Sequence, residues 1–426
     1  MSTLATLVRE AKTDPQGTAK KLLPLLQEIF PARGLTACAI NTGSKVSLNS
    51  VNGTLQAEDG GHYFFKFHAE EGEEQSLADR EYYQAKLLND LRWPVITPLE
   101  VSTAPGRQCL LYEEISAATA YALFGAEDSQ YLETKKYSSL REVLLRAEEN
   151  YLKKTTAIVL GALQPGSTAS QEAPLHQLFG HRLFGTNGAT PRLDLFYTGK
   201  PVALPDGKTI GFDELAGLRW VVNGREFPHT LAEIIVLCKK LLNPSAMAAQ
   251  PTAISHGDDH NGNKFLVQGA FTAFDPAFAG RHPVLLSMIK SAMHNAPLHP
   301  FWYYEPERVI GKINVDFKIS AGKIELHHNG TEILKSPIRE EALALYAKHA
   351  WHPVLQELEN KNLLWNGWRD FVRAAGFCCP FLALNMIDPQ RRPAPGVPLL
   401  PLKLPLFNLA QCLGVFHEDV ESLISK

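Results

Sequence analysis

The chain has 426 residues, 45% of them hydrophobic and 20% charged, with a formal net charge of −3. That balance suits a globular protein and gives no global electrostatic footprint for nucleic acid or an anionic membrane. No window approaches ~18 consecutive apolar residues, and the first residues carry charges where a secretory leader would need an apolar run, so a cytoplasmic enzyme with neither nucleic-acid nor membrane partners is the expectation.

Residues 4–30 carry apolar side chains at helical spacing (Leu4, Leu7, Val8, Ala11, then Leu22, Leu23, Leu25, Leu26 and Ile29), and Pro31 and Gly34 end that run. Runs at 36–40, 45–50, 54–58 and 62–68 are separated by Thr-Gly, Asn-Gly and Asp-Gly-Gly signals, which predicts an antiparallel sheet with tight hairpins. Helical periodicity returns over 70–91. Trp93-Pro94 opens an extended segment, and 107–116 reads as a further strand, apolar at its centre.

Helical patterns dominate afterwards, over 140–162, 229–243, 283–296, 338–359, 366–377 and 406–424. Residues 163–227 are mixed and turn-rich, 309–334 contain a hairpin pattern, and the proline-rich stretch 388–405 reads as a surface crossing. The six cysteines, Cys38, Cys109, Cys238, Cys378, Cys379 and Cys412, follow no disulfide or zinc spacing and read as buried thiols.

The chemistry concentrates in 254–280, ISHGDDHNGNKFLVQGAFTAFDPAFAG. Asp258 is followed five residues later by the amide Asn263. A short strand, a Gln268-Gly269 turn and a second strand then lead to Asp275. A hairpin of that length returns Asn263 and Asp275 to the same end of two neighbouring strands. Phosphoryl transfer uses such a set: one carboxylate for the acceptor hydroxyl, and an amide oxygen and a second carboxylate for Mg²⁺ on the nucleotide phosphates.

The stretch HGDDHNGN resembles the HGDxxxxN catalytic loop of the aminoglycoside phosphotransferase and choline kinase-like family, small-molecule kinases related in fold to protein kinases. The resemblance implies an α+β, two-lobed protein-kinase-like fold: a small antiparallel-sheet lobe over 1–115 and a larger, mainly helical lobe over 116–426, with 163–227 as an insertion. It implies that Asp258 is the catalytic aspartate and that Asn263 and Asp275 are the metal ligands. Pro276 departs from the Phe-Gly that protein kinases carry after this aspartate.

The same template implies a lysine on the third strand held by a glutamate on the next helix. Lys66 and Glu81 stand in that order, with Glu73 and Glu74 as rival partners. The 109–115 strand then resembles the inter-lobe linker, where Glu113 and Ile115 would meet a nucleotide base. The phosphate-covering turn falls on Ser50-Val51-Asn52-Gly53, which has a single glycine, and no Walker-type loop is present. The implied reaction moves the γ-phosphoryl group of ATP or GTP, with Mg²⁺, to a hydroxyl of a small molecule.

Two other readings use the same residues. His256, Asp258 and His260 form H-x-D-x-H, a set that could ligate zinc in a hydrolase, although His256 on its own reads as a brace for the loop. A kinase-shaped nucleotide-binding module without turnover is the other alternative. For the acceptor, Arg281, Lys290 and His294 follow the metal aspartate and are candidate contacts. Glu113, Glu114, Asp194 and Asp213 are the acids available for a cationic substrate. Trp302, Tyr303 and Tyr304 read as core before they read as a stacking wall.

Overall fold

A computed structural model describes residues 7, 10, 11, 13–41, 50–68, 84–104, 107–186, 188–309, 311–388 and 404–425. Helix α1 (Pro15–Ile29) begins where the Asp14 side chain accepts from the Gly17 amide at 2.8 Å. Pro15 takes the first helical position, where its missing N–H leaves nothing unpaired. The helix expected over 4–30 is therefore interrupted at Thr13–Asp14. Leu22 and Leu26 of α1 pack with Phe30, Leu55, Phe65 and Phe67 against one face of a sheet.

That sheet has strands β1 (Leu35–Ile40), β2 (Ser50–Ala57), β3 (His62–His68), β4 (Glu100–Ser102) and β5 (Cys109–Glu113), all antiparallel, in the order β1-β2-β3-β5-β4. Side chains alternate between faces along a strand, so Phe65 and Phe67 meet α1 while Phe64 and Lys66 face the opposite side.

The Asn52-Gly53 pair is not a hairpin turn. It lies inside one continuous strand, with Gly53 opposite both Ile40 and Phe65. A Cβ on Gly53 would stand 1.9 Å from the Ala39 carbonyl oxygen, so glycine serves here to let two strands approach rather than to reverse the chain. The Asp59-Gly60 turn does reverse it, with Gly60 at φ 82° and the Asp59 side chain accepting from the Gly61 amide at 2.8 Å.

Helix α2 (Ala120–Thr134) is capped by Thr119, whose hydroxyl accepts from the Ala122 amide. Sequence periodicity does not announce it, because two of its four buried residues are the acids Glu127 and Asp128. Both are satisfied, Glu127 by Ser138 and Asp128 by Ser336 and Arg339. Helix α3 (Leu140–Gly161) follows as the periodicity predicts.

In 163–227 short helices alternate with β6 (Pro201–Ala203), β7 (Thr209–Gly211), β8 (Arg219–Val222) and β9 (Arg225–Glu226). Helix α4 (Leu231–Leu241) opens with a Thr230/Glu233 capping box. Strand β10 (Thr252–Ser255) precedes the hairpin β11 (Lys264–Val267) and β12 (Ala270–Ala273), and β13 (Gly280–Pro283) pairs back with β10. Helix α5 (Val284–Asn295) comes next. Strands β14 (Val315–Ser320) and β15 (Lys323–His328) form the expected hairpin, and β15 also pairs in parallel with β8. The turn-rich 163–227 region is thereby stitched to a segment about a hundred residues away in sequence.

The helical part continues with α6 (Pro337–Tyr346), α7 (Trp368–Phe381) and α8 (Pro405–Gly414), together with the shorter helices His352–Asn360 and Val420–Ser425. Most of the proline-rich stretch, 389–403, lies outside the described residues. The architecture is α+β, a small antiparallel sheet followed by a larger, mainly helical part. Five of the six cysteines are buried, and all six are free thiols. No described helix is long and apolar enough to cross a membrane.

Candidate active site

The loop between β10 and β11 carries Asp258. Gly257 sits at φ 82°, and a Cβ there would fall 2.2 Å from the Phe278 carbonyl oxygen, so only glycine fits. The preceding His256 is fully buried, and its Nε2 donates to the Phe274 carbonyl at 3.0 Å. This ties the loop to the end of β12. It also engages His256 Nε2 with a backbone carbonyl, and the zinc reading of H-x-D-x-H does not assemble. Among the described residues no group of three His, Cys, Asp or Glu side chains could hold a metal ion.

The rest of the loop is pinned by side chains. The His260 Nδ1 accepts from the Gly262 amide at 3.0 Å, which leaves Nε2 facing Asp258 Oδ2 at 3.7 Å. Asn295 of α5 clamps from the other side: its Oδ1 accepts from the Asn261 amide at 2.7 Å and its Nδ2 donates to the Asp259 carbonyl at 3.2 Å. The Asn263 amide nitrogen donates to the Asp258 carbonyl at 3.0 Å, so the Asn263 amide oxygen points the other way.

The β11–β12 register places Lys264 opposite Ala273, and the Phe274 amide donates to the Asn263 carbonyl at 2.7 Å. Asn263 and Asp275 therefore leave the hairpin at the same end, as the spacing predicts. Asp275 adopts φ 59°, a left-handed conformation that a non-glycine residue holds only where its surroundings impose it. From the sheet, Lys66 reaches across to Asp275 Oδ1 at 2.5 Å, although Lys66 itself is only 4% exposed. Backbone bonds bring the two halves together beside this pair: the Ala273 amide donates to the Pro94 carbonyl at 2.7 Å, and the Ile96 amide to the Ala273 carbonyl at 2.8 Å.

Behind Asp258 stands Lys290 of α5, with Nζ 2.5 Å from Oδ1. Burial alone would push the Asp258 carboxyl up. Lys290, His260 and His294 outweigh that and hold it well below the usual carboxylate range. Burial pushes His260 down to about 4 and takes His294 well below its ordinary value, so both are neutral at pH 7. The rings of His260 and His294 lie 5.7 Å apart, and His294 lies 6.1 Å from Tyr303.

Other expected residues are placed differently. Glu81, with its rivals Glu73 and Glu74, lies outside the described residues. Ser50 and Gly53 belong to β2 rather than to a phosphate-covering turn, and most of the chain joining β1 to β2 is outside the described residues. Arg281 turns to the Ala162 carbonyl at 2.9 Å and to Thr252, pinning the end of α3 to β10 rather than facing Asp258.

Glu113 pairs with Tyr63 at the end of β5 and exposes its side chain, and Ile115 lies half-buried just beyond. Beside this segment Phe274 packs edge-on against Phe64, Tyr112 and Phe265 at 5.6, 5.0 and 5.8 Å between ring centroids. The acids suggested for a cationic acceptor do not converge: Asp194 accepts from Thr198, Asp213 from the Gly199 amide, and Glu114 faces His62. Trp302 and Tyr303 are core residues.

Sequence reading missed Glu148, Tyr151, Lys264 and Asn295, which hold the loop from behind. One signal was available, the lysine at the head of an otherwise apolar strand, Lys264-Phe265-Leu266-Val267.

No family model and no curated relative matches the chain. Among solved structures it is similar to amicoumacin kinase hAmiN, at 12% identity over 96% of each chain and a TM-score of 0.39. It is also similar to macrolide 2'-phosphotransferase type I, at 10% identity over 99% of this chain and 97% of that one with a TM-score of 0.40. A third is choline kinase from Cryptosporidium parvum Iowa II, at 9% identity over 96% and 95% with a TM-score of 0.39.

Proposed function

We propose that the chain is a phosphotransferase that moves the γ-phosphoryl group of ATP or GTP, with Mg²⁺, to a hydroxyl of a small molecule. One observation carries this reading: a buried sheet lysine, Lys66, meets Asp275 at the hairpin end that also presents Asn263, whose amide is bonded to the backbone of Asp258. The donor set suits Mg²⁺, which takes a few hard protein oxygens and completes its octahedron with phosphate and water. Asn263 offers an amide oxygen and Asp275 a carboxylate, and the ion they would hold neutralises phosphate charge when bound.

In this reading Lys66 binds the phosphates, oriented by Glu81, and Asp258 accepts a hydrogen bond from the acceptor hydroxyl. With its carboxyl held low by Lys290, Asp258 is a weak base. That suits a loose transition state, in which the acceptor is aligned first and gives up its proton late. The linker around Glu113 and Ile115, next to the Phe64–Tyr112–Phe274 cluster, supplies the side on which a base would rest. The same chemistry is lost if the chain only binds nucleotide.

The test is a panel of hydroxyl-bearing metabolites assayed for ATP-dependent phosphorylation, with Asp258→Ala as control. Transfer that falls by about 10²–10⁴-fold in Asp258→Ala while nucleotide still binds supports the proposal. Mg²⁺-dependent nucleotide binding with neither hydrolysis nor transfer would instead identify the silent module.

A further inference from the structure

Lys264 directly follows Asn263, and it is 1% exposed. Its Nζ lies 2.9 and 3.2 Å from the two carboxylate oxygens of Glu148 on α3, itself 4% exposed, and rests over the rings of Tyr151 and Phe271 at 5.2 and 5.4 Å. We infer that the Glu148–Lys264 pair is a positioning device for Asn263, holding its amide oxygen where the phosphotransferase reading requires a metal ligand. The inference rests on that reading for what Asn263 does.

Asn263 ends the tight turn Asn261–Asn263 and Lys264 opens β11, so a Lys264 side chain fixed toward α3 fixes where that turn ends, and with it the Asn263 amide that is bonded to the Asp258 carbonyl. One helical turn further along α3, the Tyr151 hydroxyl makes the matching grip. It donates to Asp259 Oδ1 at 3.1 Å and accepts from the Trp93 indole at 3.0 Å. Glu148 and Tyr151 thus hold the residues that immediately follow Asn263 and Asp258.

Stability does not account for a charge pair at this place. A buried ion pair is often no better than apolar side chains of the same volume, and its established use is to specify one arrangement among several. Packing alone leaves the arrangement free to change, because a cavity of about 50 Å³ adjoins the pair, lined by Trp93, Glu148, Ser255, His256, Asp259 and Lys264 among others. That space is large enough to admit water. Ser255 Oγ and His256 Nδ1, two buried atoms on residues that line it, have no hydrogen-bond partner among the described residues.

The test uses the double variant Glu148→Leu/Lys264→Leu, which removes both charges and leaves neither unpaired. Affinity for the non-hydrolysable nucleotide AMP-PNP is measured by calorimetry in excess Mg²⁺ and again in EDTA, alongside the thermal midpoint. The expected result is a folded protein whose affinity in EDTA matches the wild type. Its gain from Mg²⁺ should shrink by about tenfold, the usual scale for removing a residue that orients a metal ligand. Tyr151→Phe, which leaves Lys264 paired, should keep the full gain.

An undiminished Mg²⁺ gain in the folded double variant overturns the inference, as does an equal loss with and without metal, which is what a merely structural role produces. A wild-type protein with no Mg²⁺ gain at all is a separate result. It removes the phosphotransferase reading and the inference together.

Discussion

Lys290 and Asp258, both largely buried, form an ion pair at 2.5 Å in which the side chains are 5% and 16% exposed. The pair joins α5 to the loop residue proposed to receive the acceptor hydroxyl, so loop position and carboxylate basicity depend on the same lysine.

Lys290→Met should therefore destabilise the protein by about 3–5 kcal/mol, the cost of leaving a buried charge unpaired. Adding Asp258→Asn should recover much of it, in a double-mutant cycle read by urea unfolding. The sign with pH follows from the lowered carboxyl: the stability it contributes is present above the unfolded value of about 3.9 and is lost as pH falls through the folded value. Lys290→Met raises that carboxyl, so the acid limb of the pH–rate profile should move to higher pH. An unmoved acid limb would separate Lys290 from the chemistry.

Gly257→Ala should cost more than an ordinary surface change. Alanine at φ 82° is strained by about 1–3 kcal/mol, and its Cβ meets the Phe278 carbonyl. A lowered thermal midpoint with disproportionate loss of turnover is expected, because the neighbour that must shift is Asp258.

Asp275→Asn keeps the shape of the side chain and removes the charge that faces Lys66. Nucleotide affinity measured by calorimetry should lose its Mg²⁺ dependence while binding in EDTA persists. A variant with wild-type Mg²⁺ dependence would rule Asp275 out as a metal ligand.

Buried histidines should weaken the fold in acid. Burial pushes His260 and His299 down to about 4 and His282 to about 3, whereas an unfolded histidine titrates near about 6.5. Between those values the unfolded chain binds protons that these histidines refuse in the folded chain, so their contribution to stability is full above about pH 6.5 and falls as pH drops toward 4, opposed by Asp419, which burial pushes up to about 6. Urea midpoints at pH 7 and pH 5 check this, and equal midpoints would contradict it.

Much of the hairpin around the candidate site was legible because its determinants are local. Five residues from Asp258 to Asn263, and a four-residue strand on either side of Gln268-Gly269, dictate which side chains share an end. No distant residue is needed to know it. Helix α3 and the β14–β15 hairpin were readable for the same reason, since 3.6- and 2-residue periods survive in the sequence when one face is buried.

Local rules failed where a distant partner reverses the meaning of a residue. Asn52-Gly53 looks like a turn until Ala39 and Phe65 flank it, and the buried acids of α2 look solvated until Ser138 and Arg339 arrive. Arg281 looked like an acceptor contact until Ala162 claimed it.

What the order of amino acids settled, then, was the chemical inventory and the spacing of Asp258, Asn263 and Asp275. Folding alone decided which cations meet the two acids. Lys66 comes from 209 positions away and Lys290 from 32, and Glu148 reaches Lys264 across 116. Charge pairing inside a protein depends on distance in space and on exclusion of water, and neither quantity is written in the spacing of residues along the chain.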